Sequence, residues 1–188
     1  MFSILLFSTY ILTSLNTVSL KGIVMIQYTW TPAHGTDVAD IVQMAVGHFQ
    51  TEVDTVFTPD PVAYSRNITF AVVNQFYLPG SELLYVAKDA DNKLLGYTWA
   101  KSGERAPWSD DTMIVIRMAH VDLQLSSRDR LRLITDMLDI WEKFAVATNT
   151  PVICSTTMRK EQDGFLKLHA RHGYDVRGSY AYKKLSAV

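Results

Sequence analysis

Apolar side chains recur along this chain with two periods, and the order in which the periods alternate predicts a layered protein. Residues 25–30 have strand composition and are stopped by Pro32. Gly35, Thr36 and Asp37 then offer a capped helix start. Val38, Ile41, Val42, Ala45 and Phe49 follow at helical spacing, which predicts a first helix to about Phe49. Pro59, Asp60 and Pro61 reset the chain, and residues 62–78 read as a second, mostly apolar helix ended by Pro79 and Gly80. Its aromatic residues, Tyr64, Phe70, Phe76 and Tyr77, fit a core or the wall of a groove.

Residues 83–88 and 93–100 are β-rich runs joined by Asp89, Ala90, Asp91 and Asn92, which is turn chemistry for a hairpin. A polar, proline-bearing loop over 102–111 separates them from a strand over 113–123. Ser126 and Ser127 open a long helix in which Leu131, Ile134, Leu138, Trp141, Phe144 and Ala145 keep one apolar face to Ala147. Residues 152–155 read as a short buried strand, 162–172 as a helix and 174–185 as a final pair of strands. The resulting order, β-α-α-β-β-β-α-β-α-β-β, describes a mixed sheet with helices on both faces.

Composition narrows the class. With 188 residues, 48% hydrophobic and 20% charged, the chain suffices for one compact core. Eighteen basic against nineteen acidic residues give no global field for nucleic acid or acidic lipid, and the basic residues form no stripe interleaved with aromatics. An anion site must therefore be local. The single cysteine, Cys154, excludes an intrachain disulfide framework and a multi-cysteine metal site, and its apolar neighbours suit a buried thiol. His169 and His172 have helical spacing, but no carboxylate or cysteine completes a ligand set, so no metal is expected.

The first 24 residues stand apart, because no charged side chain occurs before Lys21. Three readings stay open. The segment is long enough for a membrane span or a secretory signal, although it lacks a basic start and an obvious cleavage site. Alternatively, Lys21 and Gly22 are encoded as AAR-GGN, a purine-rich stretch shortly before the codon of Met25. That suits a bacterial ribosome-binding site, with translation starting at Met25. The third reading is that the segment serves neither purpose. The domain is expected over 25–188, with 1–24 as an apolar extension and a membrane contact only if residues 1–20 are translated.

The hairpin LLYVAKDADNKLLGYTWA, the strand-turn-helix MAHVDLQLSSRDRLRLITDML and the closing FLKLHARHGYDVRGSYAYKKL occur in an order that resembles the GNAT N-acetyltransferase superfamily. The stretches LSSRDRLRL and RGSYAYKKL look like the divergent GNAT-like proteins of tailed phages. The resemblance implies an α/β fold with a central twisted mixed sheet of six to seven strands and helices on both faces. It further implies acetyl transfer from acetyl-CoA, as co-substrate, to a primary amine on a small molecule or peptide by direct attack. The alternative it carries is a catalytically silent phage protein acting as a virion or host-interaction component. Its location would be the cytoplasm, that of the host cell if phage-encoded, or the virion.

Within that frame, the turn before the long helix would meet the pyrophosphate with free N–H groups and the positive end of the helix dipole. Ser126, Ser127, Arg128, Arg130 and Arg132 are the candidates, with the arginines able to bind phosphate in bidentate fashion. Such enzymes usually carry an Arg/Gln-x-x-Gly-x-Gly/Ala signature at this turn, whereas no glycine occurs between Gly103 and Gly164. By the same analogy Val121 and Leu123 would line the acyl-pantetheine arm, with Asp122 or His120 near the amine. His120 and Asp122 are two apart on a strand and so share a face. They could act as an acid-base pair, or be a half-buried side chain and a strand-end cap. His169 takes the position of a tyrosine that protonates the leaving thiolate in many family members, and Glu82 is a further possible base.

Overall fold

The structure, a computed structural model, describes residues 25–51, 57–157, 159 and 162–178. Its elements are β1 (Thr29–Pro32), a 3-10 turn (Gly35–Asp37), α1 (Val38–Thr51), α2 (Pro61–Tyr77), β2 (Glu82–Lys88), β3 (Leu94–Arg105), β4 (Thr112–Val121), α3 (Ser127–Ala147), β5 (Val152–Cys154) and α4 (Asp163–Arg171). The five strands lie in chain order. Neighbours from β1 to β4 are antiparallel, and β4 and β5 are parallel. The described sheet thus has five strands rather than six or seven. Residues 174–178 have no regular structure, and the rest of the expected closing pair lies outside the described residues, as does the extension over 1–24.

Local chemistry accounts for the boundaries. The Asp60 carboxylate accepts from the backbone N–H groups of Val62 and Ala63, and Pro61 opens α2, where its missing N–H costs nothing. Ser126 caps α3 by accepting from Asp129 N. Strand β1 begins later than expected because the segment before it is bound to α3. Arg132 donates to the Tyr28 hydroxyl and the Ile26 carbonyl, each at 2.7 Å, while Asp136 accepts from Tyr28 and Trp30. Pro32 is tolerated at the end of β1 because this is an edge strand.

The alternation of side chains divides the core in two. On one face Ile41 and Ala45 of α1 and Tyr64, Ile68 and Ala71 of α2 pack on Leu84, Val86 and Tyr97. On the other, Leu133, Met137, Leu138 and Trp141 of α3 pack on Leu83, Leu95, Ile114, Ile116 and Val121. Helices therefore cover both faces. The register breaks once within the β3/β4 pair in a way that matters for the site: Trp99 faces Met118 but Ala100 faces Ile116, leaving Arg117 as an extra residue in β4. This bulge reverses the alternation. Ile114 and Ile116 face α3, whereas Met118 and His120 face α1 and α2.

Candidate functional site

β5 pairs with β4 only through Met113–Val115. Beyond that the two strands part, and the β4 edge from Ile116 to Val121 meets no β5 partner. At the end of this opening stands a buried polar chain. Tyr64 and Tyr97 share a hydrogen bond of 2.8 Å, and the Tyr97 hydroxyl lies 2.8 Å from His120 Nδ1. His48 of α1 stacks on His120 with ring centroids 4.2 Å apart and planes 1° from parallel. Its Nε2 lies 2.7 Å from the Val121 carbonyl oxygen, which can only accept, so His48 carries its proton there. Phe49 closes the group edge-on to His120.

Burial sets the protonation. His120 is held well below the usual imidazole range, first by desolvation and then by His48 and the Arg159 charge. Tyr97 is pushed well above the phenol range by burial and by Tyr64. The chain is therefore neutral, with His120 an unprotonated imidazole whose Nε2 makes no hydrogen bond among the described residues. A cavity of ≈ 490 Å³ that His48, but not His120, borders is lined also by Asp40, Gln43, Gly47, Lys93 and Asp122, among others.

The sequence candidates are placed unevenly around this centre. His120 and Asp122 both lie on the α1 side, yet they do not pair, because each has another partner. Asp122 accepts from Lys93 at 2.8 Å and from Gln124 N at 2.9 Å. Burial raises its pKa, but those bonds and the Lys93 charge outweigh it and hold the carboxyl below the usual range. Val121 packs on the α3 face, and its carbonyl is taken by His48; Leu123 lines the cavity. Glu82 is no free surface carboxylate, since Asn74 and Trp99 donate to its two oxygens at 2.9 and 2.7 Å. It faces Lys101, which in turn faces Val115, so it sits at the paired end of β4, away from His120.

His169 is 3% exposed and packs in the α3 layer against Phe165, Tyr174 and Trp141. Its Nδ1 is 2.9 Å from the Phe165 carbonyl and must donate there, so Nε2, 3.0 Å from Ser155 Oγ, is the acceptor. Burial lowers its pKa, which keeps it neutral. As placed, His169 ties α4 to the end of β5 and presents no proton for a thiolate. The neighbouring Tyr174 hydroxyl is buried without a partner among the described residues, and burial pushes its pKa up to about 12.

The turn before α3 is more self-contained than a bare anion site. Ser126 Oγ donates to the Asp129 carboxylate at 2.6 Å while accepting from Asp129 N, and Ser127 accepts from Arg130 at 3.3 Å. Asp129 thus puts a negative charge where an anion would favour the helix dipole. Arg128 is exposed, and Arg130 Nε is buried without a partner among the described residues. Arg132 turns inward, its guanidinium 4.2 Å above the Tyr28 ring, and is committed to structure because its donors satisfy Tyr28 and the Ile26 carbonyl.

Sequence reading missed His48, Tyr97, Tyr64 and the bulge at Arg117. His48 carried a signal, since it continues the buried spacing of Ile41 and Ala45 at i, i+4 and i+7. The bulge carried none.

No family model matches the sequence, and no curated protein matches it; the likeness lies in structure. A predicted acetyltransferase from Clostridium acetobutylicum, solved with acetyl-CoA, superposes with a TM-score of 0.64 at 13% identity, covering 84% of this chain and 96% of that one. Glucosamine-6-phosphate N-acetyltransferase from Arabidopsis thaliana gives 0.61 at 9% identity, with 85% and 99% covered. A transcriptional regulator from Bacillus halodurans gives 0.64 at 13%, with 85% and 100% covered. The fold of this chain is the GNAT fold.

Proposed function

We propose that this protein is an N-acetyltransferase that moves acetyl from acetyl-CoA to a primary amine by direct attack. The observation that carries the reading is the parting of β4 from β5 beyond a bulge in β4, with a neutral, buried imidazole at the far end of the opening. An acyl-thioester arm would lie in that opening, with Val121 and Leu123 along it and Ser126, Ser127, Arg128 and Arg130 toward its phosphates. In the cavity Asp122 is already paired with Lys93, which leaves the Asp40 carboxylate to meet a small-molecule amine, in keeping with the small-amine substrate named for the Arabidopsis neighbour. The amine nitrogen attacks the thioester carbonyl and its proton passes to His120 Nε2. The C–S bond breaks, and the sulfur leaves as thiolate. His120 accepts at Nε2 in the tautomer in which Nδ1 donates to Tyr97 and Tyr97 donates in turn to Tyr64.

A second reading, a catalytically silent protein of this fold acting as a virion or host-interaction component, is favoured by Asp129 at the start of α3 and by the glycine-free turn. Calorimetric titration of acetyl-CoA into the protein and into the Arg128→Ala/Arg130→Ala double variant separates the two. Micromolar binding that weakens in the variant supports transfer, and no binding to a folded protein supports the silent reading.

A further inference from the structure

The Asp122 N–H bonds to the Leu95 carbonyl at 2.8 Å, which fixes which main-chain groups of β4 face β3. In an antiparallel ladder successive residues alternate, so residues 120 and 122 point to β3, and 119 and 121 point the other way, into the opening that β5 leaves. The Val121 carbonyl is thus a strand-edge acceptor with no strand to serve it among the described residues. His48 fills the role from α1, its Nε2 2.7 Å away and its ring 2% exposed. Arg159, beyond β5 in the chain, brings its guanidinium 3.5 Å from the other ring nitrogen, so the opening is bridged from both sides.

From this geometry we infer that His48 is a latch on the free edge of β4, which an acyl-CoA must displace to bind. The inference rests on the acyl-CoA reading above and adds its control. The thiol arm of coenzyme A is extended and carries amide N–H groups, the donor type that a strand-edge carbonyl accepts, and one of them would replace the imidazole at Val121. The same displacement strips His48 from the face of His120, so arrival of the acyl donor and uncovering of the base are one event.

The test is titration of acetyl-CoA into the full chain and into His48→Ala, each verified as folded. Loss of one competing hydrogen bond is expected to tighten binding about three- to tenfold in the variant. In the wild-type protein, proton NMR is expected to show the sequestered Nε2 proton of His48 and its loss on saturation with acetyl-CoA; this arm stands even if His48→Ala does not fold. Equal or weaker binding by the variant, or persistence of that proton in the saturated complex, overturns the latch and leaves the acyl-CoA reading intact. Absence of binding by both folded proteins ends the acyl-CoA reading and the latch with it.

Discussion

The Tyr64, Tyr97 and His120 chain places three polar groups under an apolar roof, and its cost and use follow from the same hydrogen bonds. Removing the Tyr97 hydroxyl leaves His120 Nδ1 and Tyr64 without their shared partner. Tyr97→Phe is therefore expected to destabilise the fold by about 1–3 kcal/mol in denaturant unfolding. The lowered pKa of His120 has a definite sign for stability. Below the unfolded value of 6.5 the open chain takes up a proton that folded His120 refuses, so stability falls as pH drops through 6.5 towards the folded pKa, and is full above it. His169, also lowered, adds in the same direction. Melting temperature is expected to decline on acidification through this window, and less steeply in His120→Gln. Arg132→Ala is expected to lower the melting temperature by releasing residues 26–30 from α3 while leaving acetyl-CoA affinity unchanged. A parallel loss of affinity would return Arg132 to the phosphate site.

At the scale of elements, the decisive contact is the close approach of β3 to β4. A Cβ on Gly96 would come 2.9 Å from the His120 carbonyl oxygen and 3.3 Å from Val121 Cγ1, both at the level of the site. Gly96→Ala is thus expected to cost about 1–3 kcal/mol, read from chemical denaturation, and to disturb the histidine pair. Helices and hairpin were legible in the sequence because their signals are local: Asp60 before Pro61, Ser126 before α3, and the aspartate turn between β2 and β3. The site was legible only in part. His120 was found from its place on a strand, but its direction is set by the bulge, and its partners come from 23 and 72 positions away. Arg132 resembled its neighbours in the sequence and parted from them only because Tyr28 and Ile26 fold back onto α3.

Across the whole molecule, two core clusters share one sheet. β2 and β3 contribute to both, and Trp141 of the α3 layer donates to Thr98 at 2.7 Å, one residue from Tyr97 in the other. Neither cluster can open without stripping the strands of the other, so thermal unfolding followed by tryptophan fluorescence and by far-UV circular dichroism is expected to give coincident single transitions. Two separate transitions would show the layers to be independent.

The extra residue in β4 gives this architecture an unusual kind of memory. Ile116 stays opposite Ala100 and Met118 opposite Trp99 whatever residue stands at Arg117, because the extra residue has no partner in β3. Its loss would leave a regular ladder, with His120 still opposite Tyr97 and still facing α1. Place along this strand is thus held by pairing rather than by identity, and two chains with few letters in common can still set their side chains by the same register.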